Sequence, residues 1–259
     1  MILVKLQVKI IVISLLIFTP SLVYAQQIFT TYRDDGNATV FDGKWTFTQE
    51  WKRTSEDIIR FNDGNELSVK TGHDGNNLYV LLDFISQHKF AKFSDYGIVC
   101  MTTNSTKEIY PQKDDYCFLV TLGSHSPITL QGGDYLIQTN HFTKTKNDFG
   151  LIAIGGISDE HDRYSGIPHN TYEFKIPIKV VGRSDTYGFY VATYDANNNI
   201  VYSWPQNITN NEFPAIPSPS KWGHLISPDK SLPEFPWPVF AMASSFLFVL
   251  YLSRKQISF

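Results

Sequence analysis

Short runs of apolar and aromatic residues recur along the chain at intervals of roughly 10–20 residues, separated by Gly, Asn, Asp and Pro. Only residues 48–61 could form more than one helical turn, so the strand–helix alternation of a parallel sheet is missing. The pattern predicts an all-β fold, an antiparallel β-sandwich. The predicted strands are residues 77–84, 96–101, 116–122, 135–139, 150–154, 172–177, 187–194 and 200–204.

The first 25 residues have the pattern of a secretory signal. Lys5 and Lys9 give a basic start, and residues 10–18 form an apolar run of nine residues, too short to span a bilayer. Ala25 closes a stretch suited to cleavage. We therefore expect residues 1–25 to be a signal peptide, with an uncleaved N-terminal anchor as the alternative.

A second apolar segment, residues 235–252, carries no charge over its 18 residues. As a helix it would reach about 27 Å, close to the ~30 Å thickness of a hydrocarbon core. Arg254 and Lys255 follow it, which places residues 253–259 in the cytoplasm. The sequence thus predicts a single-pass membrane protein at the cell surface, with its N-terminal domain outside the cell.

Between these ends we expect a β-sandwich ectodomain over residues 26–204 and a proline-rich stalk over residues 205–234. The chain has 22 basic and 25 acidic residues. Four of the basic residues lie in the two terminal segments, so the region between them has 18 basic and 25 acidic residues. Nucleic-acid binding depends on clustered Lys and Arg, so this balance argues against it. Aromatic residues form 15% of the chain, which excludes intrinsic disorder.

Cysteines and glycosylation sequons fit an extracellular location. Cys100 and Cys117 each lie in a predicted strand, and a hairpin would bring them together as a disulfide; two free buried thiols are the alternative. Asn37, Asn104 and Asn207 each begin an Asn-x-Ser/Thr sequon. We expect these asparagines to be glycosylation sites, against chance occurrence in an Asn-rich chain.

Four segments carry a resemblance to a known family. They are Phe-Asp-Gly-Lys-Trp at 41–45 with Glu-Trp at 50–51, the D-x-x-x-L-Y-V pattern at 74–80, the Y-E-F-x-I-P pattern at 172–177, and the P-x-x-W-G pattern at 219–223. Their order and spacing resemble those of carbohydrate-binding-module-9-like domains, within the wider DOMON-like group. The resemblance covers about residues 38–226.

The C-terminal region carries a second resemblance. Pro-Glu-Phe at 233–235, followed by an apolar span and a short basic end, resembles the tails of archaeal (thaumarchaeal) surface proteins. In the Pro-Glu-Phe-Gly form, such a tail is an archaeosortase signal. Here Pro236 replaces the Gly, so we expect a plain membrane anchor.

The resemblance to the DOMON-like group implies an immunoglobulin-like or jelly-roll sandwich that binds a ligand. Members bind sugars, haem or both. One branch is the haem subunit of ethylbenzene-dehydrogenase-like enzymes, in which Met and Lys ligate the iron. Met101 is the candidate haem ligand here, because Met1 and Met242 lie in the terminal segments. A core methionine is the alternative.

A sugar site requires aromatic faces with polar groups beside them. The candidates are Trp204, which follows a predicted strand, Tyr164, which lies in a polar loop, and Trp45. Ordinary packing in the core is the alternative for each.

An acidic run, Asp159, Glu160 and Asp162, with His169 nearby, is the candidate for a structural Ca²⁺ site, because hard cations take several oxygens from one loop. A solvated acidic loop is the alternative. No Gly-x-Ser-x-Gly, His-Glu-x-x-His or phosphate-binding motif occurs, so we do not expect an enzyme.

The sequence and its resemblances therefore predict a non-catalytic, membrane-anchored extracellular module that binds carbohydrate or another small polar ligand. We expect no cofactor apart from the Ca²⁺ candidate. The alternatives are a haem-binding electron-transfer domain and a structural protein of the cell envelope.

Overall fold

The structure, a computed structural model, describes residues 26–33, 39–47, 49–103, 108–133, 142–147, 149–162, 165–208, 214 and 216–228. Several predictions fall outside these residues: the signal peptide, the membrane segment, the strand at 135–139, and Tyr164, Asn37 and Asn104. Within the described ranges, no helix is long and apolar enough to cross a membrane.

The described chain is built almost entirely of short strands. One helical turn, α1 (Ile178–Val181), lies between two of them, and a 3₁₀ turn at Pro219–Lys221 precedes the last. The strands are β1 (Gln27–Phe29), β2 (Thr31–Tyr32), β3 (Ser55–Arg60), β4 (Glu66–His73), β5 (Asn77–Phe84), β6 (Tyr96–Thr102), β7 (Tyr116–Thr121), β8 (Ile128–Gln131), β9 (Thr143–Thr145), β10 (Ile152–Ile157), β11 (Asn170–Pro177), β12 (Thr186–Asp195), β13 (Ile200–Trp204) and β14 (Gly223–Ile226).

These strands form two sheets. In the described part of the chain, sheet A has eight strands in the order β1-β14-β12-β6-β7-β8-β9, with β13 also paired to β12. Sheet B has six described strands in the order β10-β11-β5-β4-β2, with β3 also paired to β4. The pairings are antiparallel except β1 with β14 and β2 with β4. The predicted antiparallel β-sandwich is confirmed as an all-β, two-sheet fold.

The main core lies between the two sheets. On β5, Leu78, Val80 and Leu82 point into this core, because side chains alternate along a strand. The intervening Tyr79 and Leu81 belong to a separate cluster on the outer face of sheet B. Both faces of β5 are therefore buried, which explains why the strand reads as an almost continuous apolar run.

Residues 49–61, where the sequence allowed more than one helical turn, form no helix in the structure. Residues 49–53 form turns, and the chain then enters β3, which pairs with β4 along its whole length. Ile59 of β3 faces the core, opposite Leu67 of β4. The sequence analysis also missed β4, because Ser68 and Lys70 give it a polar appearance although both side chains are buried.

The sandwich extends beyond residue 204, where the sequence analysis ends it. Strand β14 pairs with β12 on one side and with β1 on the other. Ile216, Trp222 and Leu225 are all buried. The part of the expected stalk from 216 to 227 is therefore packed into the domain; its prolines resemble a linker in sequence, but its apolar residues complete the sheet A side of the fold.

The predicted disulfide is present. Cys100 on β6 and Cys117 on β7 are directly opposite each other, and their Cα atoms are 4.0 Å apart. The bond joins residues 17 positions apart in sequence, and closing such a loop contributes roughly 3 kcal/mol of stability on the chain-entropy account. Both cysteines lie in the buried cluster on the outer face of sheet A.

Candidate functional site

Residues 39–53, named here the covering segment, cross the outer face of sheet B; residue 48 is not described. The two tryptophans of the segment, Trp45 and Trp51, are 3% and 0% exposed and pack with Tyr79 and Leu81 of β5. An antiparallel sheet of this kind often leaves its outer face to solvent. Here the covering segment makes that face a second interior.

Glu173 on β11 holds the covering segment in place. Its carboxylate accepts hydrogen bonds from the backbone N–H groups of Asp42 (3.0 Å) and Gly43 (2.7 Å) and from Trp51 Nε1 (3.1 Å). Burial raises the pKa of the Glu173 carboxyl well above its ordinary value, although the Gly43 N–H acts to lower it. A group so deeply buried depends on such partners, because desolvation without them is costly.

Three of the family-like segments meet at this place. The first motif, residues 41–45 with 50–51, lies in the covering segment. Tyr79 comes from the motif at residues 74–80, and Glu173 from the motif at residues 172–177. The guanidinium of Arg33 completes the group, 4.9 Å from the centre of the Tyr79 ring. In this structure the shared motifs therefore build the anchor of the covering segment.

Two aromatic candidates for a sugar site are buried. Trp45, in the covering segment, packs inward with Tyr79 and Leu81 of sheet B, and its Nε1 donates to the carbonyl of Phe47 at 2.8 Å. Trp204 is 8% exposed, and its ring lies so close to Gly223 that a Cβ there would stand 2.3 Å from Trp204 Cη2. Neither ring presents a free face to a sugar, so the packing alternative describes both.

Met101 gives no support to the haem alternative. Its side chain is 1% exposed and belongs to the core between the sheets. The cavity that it lines together with His73 and Tyr187 has a volume of about 20 Å³, which is room for about one water molecule. A haem is far larger, so in this structure the Met101 sulfur is out of its reach.

Loop 85–95, which joins β5 to β6, carries two exposed aromatic residues. Phe90 is 37% exposed and Phe93 is 69% exposed. Apolar rings flanked by hydrogen-bonding groups suit the C–H faces and hydroxyls of a sugar. The exposed polar residues beside them are His88, Lys89, Lys92 and Ser94.

The buried carboxylate of Asp95 fixes the backbone of this loop. It accepts hydrogen bonds from Ala91 N (2.9 Å), Ala196 N (2.9 Å), Asn170 Nδ2 (3.0 Å) and Gln87 Nε2 (3.3 Å). These donors come from the loop itself, from β11 and from the β12–β13 turn. A loop ordered before its ligand arrives loses less conformational freedom on binding.

The backbone of Phe93 is unusual. Its φ is 63°, in the left-handed region that bulky residues rarely occupy. The hydrogen bond from Phe93 N to Leu122 O, at 2.9 Å, holds it there. Strained backbone of this kind concentrates at binding and catalytic sites, which makes Phe93 the leading aromatic candidate.

The sequence analysis did not single out Phe90 or Phe93. The available signal was their setting in His-Lys-Phe-Ala-Lys-Phe-Ser, a polar stretch between two predicted strands. A phenylalanine flanked by lysines in a short connection has no nearby core face to enter, so exposure was the better expectation.

The acidic residues predicted to hold Ca²⁺ do not converge. Asp159 Oδ2 pairs with Lys44 Nζ at 3.2 Å, and Glu160 is exposed. Asp162 turns inward instead, and its Oδ1 lies 3.7 Å from His169 Nε2. The three carboxylates therefore do not form one oxygen site in this structure: Asp159 lies beside Lys44 and His161, and Asp162 beside His169.

A cleft of about 480 Å³ opens at the opposite end of the sandwich, beside the β4–β5 turn. Lys175, Lys179 and Arg183 line it, and Phe149 and Ile152 add apolar surface. Phe149 is only half-exposed. The cleft is lined by positive charges rather than by open aromatic faces. Loop 85–95, with its exposed phenylalanines, is therefore the better candidate surface for a neutral sugar.

Comparisons with known proteins agree with the architecture. No protein-family model matches the chain, and neither does any curated protein. Among solved structures, a family 9 carbohydrate-binding module (CBM9) from Caldicellulosiruptor kristjanssonii, in complex with glucose, matches with a TM-score of 0.51. The match covers 80% of this chain and 98% of that one, at 17% sequence identity. This chain has a CBM9-like fold. At this identity the similarity shows the fold alone.

Two further solved structures are similar over a comparable share of the chain. A CBM9 from Caldicellulosiruptor kristjanssonii, in complex with cellotriose, has a TM-score of 0.49 at 17% identity and covers 80% of this chain and 98% of that one. A putative carbohydrate-binding protein from Bacteroides uniformis has a TM-score of 0.45 at 11% identity and covers 78% and 99%.

Proposed function

We propose that this chain is a non-catalytic carbohydrate-binding module whose binding surface is loop 85–95. The observation that carries the proposal is the pair of exposed rings, Phe90 and Phe93, on a backbone fixed by the buried Asp95 carboxylate. The CBM9-like fold supports it by analogy, because the similar module is described in complex with glucose. Glucose and short glucose oligomers are therefore the first ligands to test.

Binding at such a surface would need no covalent chemistry. A phenyl ring packs against the apolar C–H face of a pyranose, and flanking donors and acceptors bind its hydroxyls. Lys89 and Lys92 are exposed and supply donors, while Ser94 can donate and accept. The rings would contribute most of the affinity, and the polar groups would set which sugar is accepted.

Replacing Phe93 by alanine is expected to weaken glycan binding about tenfold, because the loss of one stacked ring costs about 1–1.5 kcal/mol. Phe90→Ala should weaken it by a smaller factor, since Phe90 is less exposed. Calorimetry of the purified protein with glucose and cello-oligosaccharides, after a glycan array, measures both effects.

Phe29→Ala is the matched control, because Phe29 is also an exposed phenylalanine, 47% exposed, but lies on β1. It should bind as the unaltered protein does. If no glycan binds at millimolar concentration, carbohydrate binding is refuted, and the alternative of a structural cell-envelope protein is favoured. If glycans bind and the Phe90 and Phe93 variants bind equally well, the loop is not the site.

The proposed location is the cell surface, with residues 235–252 as a membrane anchor. The support is the uncharged 18-residue run followed by Arg254 and Lys255. Truncation after residue 234 is expected to move the protein from the membrane fraction to the soluble fraction. Removal of residues 253–259 alone is the control and should leave it membrane-bound. A full-length chain found in the soluble fraction would refute the anchor.

A further inference from the structure

Three ionisable side chains meet near the outer face of sheet B, outside the proposed sugar surface. Asp83 lies on β5, His169 directly precedes β11, and Asp162 lies in the connection from β10 to β11. The side chains of Asp83 and His169 are fully buried, and that of Asp162 is 1% exposed. Their ligand-type atoms all lie within 4.8 Å of one another.

The contacts of His169 decide which of its ring nitrogens carries a proton. Nδ1 lies 2.9 Å from the carbonyl oxygen of Ile167, which can only accept, so Nδ1 carries a hydrogen. Ser158 Oγ is also close to Nδ1, at 2.8 Å. Nε2 lies 2.6 Å from Asp83 Oδ1. With the hydrogen assigned to Nδ1, the Nε2 lone pair of a neutral His169 would face Asp83 Oδ1, and either a proton or a metal ion must relieve that repulsion.

The Asp83 carboxylate lacks the partners that a buried carboxylate needs. Neither of its oxygens receives a hydrogen bond from the described residues, although the side chain is 0% exposed. Its close contact is His169 Nε2, at 2.6 Å; the nearby Lys70, which also pairs with Glu56 at 3.2 Å, attracts the Asp83 carboxylate electrostatically. A buried charge in this position is costly unless it is paired or coordinates a metal.

The charges of the cluster also leave room for a cation. Two carboxylates face one imidazole in this cluster, with Lys70 close to Asp83. A divalent ion would balance both carboxylates with His169 neutral. The Nε2 separations of 2.6 Å and 3.7 Å bracket the roughly 3.3 Å expected between two ligands of tetrahedral zinc, from bonds of ~2.0–2.1 Å. The 2.6 Å contact has hydrogen-bond length, so Asp83 and His169 would have to move apart by about 0.7 Å to hold the ion.

We propose that Asp83, Asp162 and His169 bind one divalent transition-metal ion of the zinc class. Mixed nitrogen and oxygen ligands suit zinc, whereas Ca²⁺ takes oxygen ligands. The Ile167 carbonyl bound to Nδ1 is the outer contact that orients a metal-ligating histidine. The ion would tie the β10–β11 connection to sheet B. The proposed site differs from the Ca²⁺ site predicted from the sequence, because it takes a different metal and shares only Asp162 among its three ligands. It does not depend on sugar binding.

Titration of the chelator-stripped protein with ZnCl₂, followed by calorimetry, tests the proposal. One Zn²⁺ per chain is expected, with CaCl₂ producing no comparable binding. Co²⁺ in place of Zn²⁺ should give visible d–d absorption bands without a thiolate charge-transfer band, since both cysteines are in the disulfide. His169→Gln and Asp83→Asn should each weaken Zn²⁺ binding about 100-fold or more.

Asp159→Asn is the matched control, because Asp159 belongs to the same connection but pairs with Lys44. It should bind Zn²⁺ normally. If the Asp83 and His169 variants do not fold, hydrogen exchange of the unaltered protein tests the proposal instead. Zn²⁺ is then expected to slow amide exchange in residues 158–169. The proposal is overturned by no stoichiometric Zn²⁺ binding, by unchanged affinity in both ligand variants, or by Zn²⁺ protection confined to another region.

Discussion

Replacing Glu173 by alanine is expected to lower the free energy of unfolding by about 3–5 kcal/mol. The substitution leaves three donors, Asp42 N, Gly43 N and Trp51 Nε1, without their shared acceptor. Each buried donor left unsatisfied costs about 1–3 kcal/mol, and entering water offsets part of the sum. Denaturant unfolding followed by tryptophan fluorescence measures the change.

Two further variants separate the hydrogen bonds from the effect of altering β11. Lys175→Ala changes the next outward-facing residue of the same strand, which is half-exposed, and should cost less than about 1 kcal/mol. Glu173→Gln keeps an acceptor oxygen for the two backbone donors but sets an amide N–H₂ near Trp51, so its cost should be intermediate. A Glu173→Ala cost equal to that of Lys175→Ala would show that the covering segment does not depend on this carboxylate.

Replacing Trp222 by alanine is expected to cost about 3–5 kcal/mol, the usual range for removing a buried tryptophan. Its ring is 2% exposed in the cluster on the outer face of sheet A and stacks on Phe142 with centroids 6.3 Å apart. Its Nε1 donates to the carbonyl of Pro217 at 3.0 Å. Thermal and denaturant unfolding curves measure the loss.

This result bears on where the domain ends. Lys221→Ala changes the exposed neighbour of Trp222 and should leave stability within about 0.5 kcal/mol of the unaltered protein. Truncation after residue 215 should prevent stable folding, because it removes Trp222 and the whole of β14. A truncated chain as stable as the full one would show that residues 216–227 are a stalk after all.

The strands that sequence reasoning predicted well share a local cause. β5 and β13 have the predicted bounds, and β12 differs by one residue at each end. Each is a run rich in apolar and aromatic residues between turn residues, so the whole pattern lies within about ten positions of the sequence. The disulfide was predictable for the same reason, because Cys100 and Cys117 lie in two strands joined by one connection.

The site residues were harder to predict. Trp45 and Trp204 were chosen because tryptophan suits sugar stacking, yet both are buried, and Phe90 and Phe93, which were not chosen, are exposed. Residue type alone does not say whether a ring faces solvent. That depends on which other residues pack against it: Tyr79 and Leu81 of β5 do so for Trp45, and Gly223 does so for Trp204.

The sequence by itself determined the all-β class, most of the long strands, the disulfide and the family-like motifs, because these depend on neighbours along the chain. Only the tertiary structure decided what the motifs do and where the ligand-type groups meet. Trp51 reaches Glu173 across 122 positions, and Asp83 meets His169 only because β5 pairs with β11. Such contacts follow from which strands pair and which segment crosses the sheet, and a pattern of neighbouring residues specifies neither.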